Sequence, residues 1–125
     1  MYEKLIDKIK KIDERNIIKI DNTVVNKNAP KIYKYYDFVD VEIEIEDNMI
    51  KFFSKKDLDK YNKLYSYIDA DFVFASINGD PVFIKNKKVF TCSHDGDDSP
   101  PEFLFDSFDD LLDFIMILWK YNWFN

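Results

Sequence analysis

Three segments carry hydrophobic residues at helical spacing, and each predicts an amphipathic helix that buries one face. The first covers roughly residues 2–14 and places charged side chains opposite its leucine and isoleucines. The second follows Ser54, and its predicted buried stripe is Leu58, Tyr61, Leu64, Tyr65 and Ile68. The third follows Ser107, and its predicted buried stripe is Phe108, Leu111, Leu112, Ile115 and Leu118. Each serine begins a Ser-x-x-Asp sequence, so its hydroxyl is expected to cap the helix by accepting from the main-chain amide of the Asp.

Residues 38–46 alternate between apolar and acidic side chains, which predicts a strand with one buried face and one solvated face. The apolar positions are Val39, Val41, Ile43 and Ile45, and the acidic positions are Asp40, Glu42, Glu44 and Glu46. Asp47-Asn48 is expected to turn the chain into a second strand over residues 49–53. Four carboxylates on one strand face repel each other, so this face needs either solvent or a basic partner.

The second half of the chain predicts further strands. Residues 72–77 form a short apolar run bounded by turn residues, which predicts a central strand. Asn78-Gly79 is the strongest local turn signal, and residues 82–84 and 88–92 are predicted to pair as a hairpin through residues 85–87. Residues 16–25 indicate a strand or an extended segment. Residues 26–30 and 94–102 are predicted loops, because turn residues dominate them.

Length and composition predict one compact domain, because 125 residues with 18% aromatics supply a core and only two glycines leave little room for linkers. The net charge of −6 is unevenly placed: residues 89–125 hold eight acidic residues and one basic residue, Lys120. Such a field repels nucleic acid and membrane phosphates and attracts basic partners, although it also serves solubility. The first residues lack the apolar run of a secretory signal, and Cys92 has no second cysteine to pair with, so a cytoplasmic protein is expected.

The sequence offers little for catalysis. Cys92, His94 and Asp95 lie close together, but the chain has one histidine and one cysteine, too few for a zinc site or a paired base. We predict no catalytic residue, no metal and no cofactor, with Cys92 a half-buried strand residue. Residues 95–98 lack the bidentate glutamate of a calcium loop, so a solvated loop or a loop that meets a basic partner is favoured over adventitious calcium binding. The closing aromatics belong either to the core or to a contact surface, and they are Trp119, Tyr121, Trp123 and Phe124.

The order of several motifs resembles the SUKH superfamily, which includes the yeast Smi/Knr cell-wall regulators and many bacterial toxin-immunity proteins. The similarity covers about residues 38–115. Phe53-Ser54 leads into the middle helix, Gly79-Asp80-Pro81 precedes a strand that carries Phe83, and Ser107-Phe108 begins the last helix. The first 37 residues lack the Leu-Pro segment and early Asn-Gly that members often carry. The resemblance implies a single α+β domain, with helices packed on a twisted and mainly antiparallel sheet.

The resemblance also implies a binding role, most often the neutralisation of a cognate toxin. We therefore expect a non-enzymatic immunity protein that occludes a toxin's active surface, which is basic if the toxin is a nuclease. A regulatory scaffold of the Smi/Knr type is the alternative, and a small hydrolase would need a reactive Cys92. No nucleic acid or membrane partner is expected, and both a monomer and a homodimer remain open. The residues predicted to contact the partner are Glu42, Glu44, Glu46, Asp95, Asp97 and Asp98.

Overall fold

The computed structural model describes residues 2–95 and 100–124, with side chains as far as Ile117. Over these residues the chain forms three α-helices and one antiparallel sheet of seven strands, which confirms the α+β class. The helices are α1 (Glu3–Ile12), α2 (Lys55–Leu64) and α3 (Phe108–Phe124). The strands are β1 (Ile17–Ile20), β2 (Tyr36–Ile45), β3 (Asn48–Phe52), β4 (Phe72–Ile77), β5 (Asp80–Lys85), β6 (Lys88–Thr91) and β7 (Glu102–Phe105). A short 3-10 helix, Lys31–Lys34, precedes β2.

Each strand lies beside its neighbours in sequence, so the sheet runs in the order β1-β2-β3-β4-β5-β6-β7. Strand β4 lies in the middle of this order, as its apolar sequence predicts. Helix α1 packs against α3, and α2 packs against β4 and β2. None of the helices in the described part of the chain is long and apolar enough to cross a membrane.

Two-residue turns connect three of the strand pairs. The β2–β3 turn is Glu46-Asp47, because Ile45 pairs with Asn48, and Glu46 takes a φ of 56°. The prediction of a turn at Asp47-Asn48 is therefore wrong by one residue. Asn78-Gly79 turns β4 into β5 as predicted, with φ angles of 50° and 87°. Asn86-Lys87 turns β5 into β6 with φ angles of 51° and 68°, the left-handed pair that suits the twist of a hairpin.

A bulge in β2 changes which side chain enters the core. Ile17 of β1 pairs with Asp40 and Ile18 pairs with Phe38, so Val39 has no partner on β1. Phe38 is fully buried, whereas Val39 is half-buried. The predicted alternation is therefore wrong at Val39, because the extra residue reverses the faces on either side of it. From Val41 onward the alternation is confirmed, with apolar residues buried and glutamates exposed.

An unbroken row of aromatic rings crosses the core. Tyr33 lies 5.1 Å from Phe38, Phe38 lies 5.2 Å from Phe52, and Phe52 lies 6.1 Å from Phe74, between ring centroids. Phe74 meets Phe108 edge to face at 5.1 Å. The row joins the 3-10 helix, β2, β3, β4 and α3. The four buried side chains, all but Phe108, each contribute about 1.5–3 kcal/mol by leaving water, and the row links the sheet to α3.

The two predicted helix caps have different outcomes. Ser107 caps α3 as predicted, since its Oγ accepts from the amide of Asp110 at 3.1 Å. Ser54 does not cap α2: its Oγ donates to a carboxylate oxygen of Asp57 at 3.1 Å. The amide of Lys55 donates instead to Asp37 Oδ1 at 2.9 Å. A carboxylate from β2 thus replaces the serine hydroxyl at the first turn of α2.

Two other predictions are corrected by the structure. Leu64 is the last residue of α2 and is 57% exposed, so it does not belong to the buried stripe that contains Leu58. Strand β7, Glu102–Phe105, was not predicted, and it pairs with β6 at the edge of the sheet. The predicted side-chain roles of Leu118 and of the closing aromatics lie outside the described side chains.

Candidate functional site

The exposed face of β2 and the turn that follows it carry three of the six carboxylates predicted to contact a partner. Glu42 and Glu44 are exposed on the strand, and Glu46 is exposed in the turn that follows. Across the ladder, Lys51 of β3 lies opposite Glu42, whereas Met49 lies opposite Glu44. An acidic side chain opposite a base is stabilised, and one opposite a methionine is not. The negative charge of this face is therefore only partly balanced by β3.

A groove of about 400 Å³ lies beside this row of glutamates. Its second wall is the end of α1 and the turn from α1 to β1. The residues that line it are Ile12, Asp13, Arg15, Glu42, Glu44, Glu46 and Met49. The groove therefore combines acidic walls with two apolar side chains, a composition that suits the aliphatic stem and charged head of a lysine or arginine.

Arg15 and Asp13 form a close ion pair at one end of the groove. Arg15 Nη2 lies 2.6 Å from Asp13 Oδ2, and Arg15 Nε lies 3.0 Å from Asp13 Oδ1. These hydrogen bonds from Arg15 lower the pKa of Asp13 to about 2. The pKa of Arg15 is raised, first by Asp13 and also by the charges of Glu42 and Asp40. Asp13 thus compensates the one arginine of the chain, and the groove as a whole stays acidic.

Asn16 fixes the groove wall to β2. Its side chain is buried, with Nδ2 donating to the carbonyl of Ile9 at 3.1 Å and Oδ1 accepting from the amide of Glu42 at 2.9 Å. The asparagine therefore joins the second turn of α1 to the edge of β2. It also occupies the position that a strand neighbour would otherwise take beside Glu42.

Asp95 belongs to a second cluster, centred on His94. His94 Nδ1 lies 2.7 Å from Asp80 Oδ1, and His94 Nε2 lies 3.1 Å from Asp95 Oδ1. The hydrogen bond with Asp80, followed by the charge of Asp95, raises the pKa of His94. Tyr67 donates from its hydroxyl to the carbonyl of His94 at 3.3 Å. This segment is therefore held against the start of β5. Asp97 and Asp98 lie outside the described residues.

The structure does not bring the predicted contact residues into one group. Strands β2 and β6 run in the same direction, so both end at the same side of the sheet. Glu46 and Asp95 follow these two strands and therefore lie along that side. Strands β3, β4 and β5 separate them, and neighbouring strands are about 4.8 Å apart, which places the two strands roughly 19 Å from each other. A large protein surface could reach both clusters, but a short segment could reach only one.

Cys92, His94 and Asp95 are the residues that the sequence offers as a possible nucleophile and base. Each ring nitrogen of His94 faces a carboxylate, from Asp80 or from Asp95. Cys92 is half-buried and follows the last residue of β6. Within the part of the chain that the structure describes, no three His, Cys, Asp or Glu side chains are arranged to hold a metal ion.

Sequence reasoning missed one wall of the groove. Asp13, Arg15 and Asn16 follow α1, where the sequence shows only the end of an amphipathic pattern. Their approach to β2 depends on the antiparallel pairing of β1 with β2, which no local pattern specifies. Met49 was placed on a strand but not beside the glutamates. The signal that could have found these residues is the run of polar side chains between a helix and a strand.

Comparison of the chain with protein-family models, curated proteins and solved structures finds no match. The SUKH resemblance therefore stays a prediction that rests on the motifs. The geometry described above stands independently of it.

Proposed function

We propose that this chain is a bacterial immunity protein that binds a toxin domain through the acidic face of β2, without catalysis. The observation that carries the proposal is the exposed row of Glu42, Glu44 and Glu46 beside an acidic groove of about 400 Å³. Repulsion between the like charges on this strand face raises the free energy of the unbound protein. Attraction to a basic partner would lower the free energy of the complex. The motif order that resembles the SUKH superfamily supports a toxin as the partner.

The proposed mechanism is occlusion. A toxin that acts on nucleic acid needs a basic surface to hold phosphates, and an acidic protein can cover that surface. The net charge of −6 would steer the two proteins together, and association would slow as salt screens the charges. The absence of a second cysteine supports binding in the reducing cytoplasm.

The test is capture of the partner from the source cells by the full chain, followed by mass-spectrometric identification of any stoichiometric protein. The variant E42K/E44K reverses the face, and D7K/D59K makes the same change in net charge at two exposed positions outside the groove. We expect a basic toxin to be retained by the wild type and by D7K/D59K and to be lost with E42K/E44K. Equal retention by both variants would remove the β2 face from the interface, and a partner that is not a toxin would overturn the immunity assignment.

A further inference from the structure

Among the residues that the structure describes, none forms a strand beside half of the outer edge of β2. Strand β1 has four residues and pairs with β2 only as far as Asp40, whereas β3 pairs with β2 from Val41 to Ile45. Among the described residues, no strand lies beside that second half of β2 on the side away from β3. Glu42 and Glu44 of this half of β2 also line the groove.

The main-chain groups of Glu44 point away from β3, toward the open edge. In an antiparallel pair, successive residues direct their amide and carbonyl alternately toward one neighbour and then the other. The amide of Glu42 donates to Asn16 Oδ1, away from β3, so the amide and carbonyl of Glu44 point the same way. On the other strand, Met49 directs its amide and carbonyl to Asn78, in agreement with this alternation. No residue in the described part of the chain bonds to the outward amide of Glu44.

We propose that an extended, basic segment of a partner protein adds to this open edge of β2, beyond Asn16 and on the same side of β2 as β1. This inference rests on the proposed function, because it states how the partner meets the same acidic face. An added strand would satisfy the outward groups of Glu44 and would extend the sheet beyond the end of β1. Because Asn16 occupies the position beside Glu42, the open part of β2 is residues 43–45, which corresponds to roughly 10 Å of extended chain.

The glutamates on β2 indicate which sequence the added segment should have. Side chains of an added strand that face the glutamates repeat every second residue, as do Glu42, Glu44 and Glu46. Lys51 already lies opposite Glu42 on the β3 side, whereas Glu44 faces only Met49, so the strongest demand for a base lies opposite Glu44. A Lys-x-Lys pattern in extended conformation therefore matches the edge. A basic helix could meet the same charges but could not use the main chain of Glu44.

The experiment titrates the isotope-labelled full chain with capped peptides and follows amide exchange by nuclear magnetic resonance. The first peptide, Lys-Val-Lys-Val-Lys, alternates its bases, and the second has the same composition with adjacent lysines, Lys-Lys-Lys-Val-Val. The third is the alternating peptide with N-methyl groups on the main-chain nitrogens that would donate to β2. We expect the alternating peptide to bind, to slow exchange of the Glu44 amide, and to lose at least about fivefold in affinity on N-methylation, the equivalent of roughly one hydrogen bond.

The outcomes separate this inference from the proposed function. If all three peptides bind equally and Glu44 exchange is unchanged, the face attracts bases by charge alone, which overturns strand addition and leaves partner capture unaffected. If no peptide binds, strand addition by a basic segment is also overturned, and the capture experiment decides the proposed function by itself. E44Q serves as the charge control: it should weaken the alternating peptide while the slowed amide exchange persists at saturation.

Discussion

Replacing Tyr33 with phenylalanine is expected to destabilise the fold by about 2 kcal/mol, although it removes a single oxygen. Tyr33 is fully buried, and its hydroxyl lies 2.9 Å from the carbonyl of Phe53 and 3.3 Å from the carbonyl of Phe74. These carbonyls mark the place where β3 leaves β4 to begin α2. The hydroxyl therefore bridges the two segments beside the last main-chain hydrogen bond between them, from the amide of Phe53 to the carbonyl of Phe74.

The magnitude follows from what the substitution leaves behind. The Tyr33→Phe ring can keep its position 5.1 Å from Phe38, so little packing is lost. The carbonyl of Phe74 still accepts from the amide of Phe53 at 3.0 Å, so only the carbonyl of Phe53 loses its partner. An unsatisfied buried carbonyl costs about 1–3 kcal/mol, and we take about 2. An unfolding entropy of about 2.1 cal/mol/K per residue gives roughly 0.26 kcal/mol/K for this chain, so the melting temperature should fall by about 8 °C.

The assay is urea unfolding followed by circular dichroism, with thermal unfolding as a second measure. Tyr67→Phe is the matched control, because the Tyr67 hydroxyl also donates to a carbonyl but its side chain is exposed, so its loss should change the free energy of unfolding by less than about 0.5 kcal/mol. The slope of free energy against urea should be unchanged in both variants. A Tyr33→Phe variant within about 0.5 kcal/mol of wild type would refute the reasoning.

Three further predictions, on a pair of helix-start serines, a hairpin turn and a histidine ion pair, test other parts of the structure. Ser107→Ala should lower the free energy of unfolding by about 1 kcal/mol and Ser54→Ala by less, because Ser107 caps α3 whereas Ser54 does not cap α2. Urea unfolding that ranks the two variants in reverse would contradict this difference. Lys87→Gly should raise the melting temperature, because glycine adopts a φ of 68° without the strain of about 1 kcal/mol that a side chain causes there. A melting temperature below that of the wild type would show that the turn is not left-handed. The raised pKa of His94 means that its ion pair stabilises the fold at low pH and that this contribution is lost as pH rises through the raised pKa. Asp80→Asn should lower that pKa in a nuclear magnetic resonance titration, and an unchanged value would place the cause elsewhere.

The sequence correctly predicted the strands whose pattern of apolar and polar residues matches their position in the sheet. Strand β4 has the predicted bounds, and the glutamate face of β2 is exposed as its alternation indicates. The wrong predictions fall where a distant residue decides. Asp37 caps α2 from eighteen positions away and displaces Ser54 from that role. The bulge at Val39 depends on β1, and the four apolar and acidic residues of β7 are too few to distinguish a strand from a loop.

The candidate site was half predictable for the same reason. Glu42, Glu44 and Glu46 were identified because a strand with period two fixes which side chains share a face. The opposite wall, with Asp13 and Arg15, is set by how α1 returns to the sheet, which is a tertiary relation. The separation of Asp95 from the glutamates likewise follows from strand order, and sequence alone gives no measure of it.

The short length of β1 has a consequence for the unbound molecule. An uncovered strand edge is a template on which identical chains can stack, and this one is half of a ten-residue strand. Two copies that met along it would bring Glu42 and Glu44 of one against the same glutamates of the other, and the repulsion would drive them apart. The carboxylates that are proposed to bind a basic segment would thus also oppose self-association of the protein. Neutral variants such as E42Q/E44Q should therefore precipitate more readily.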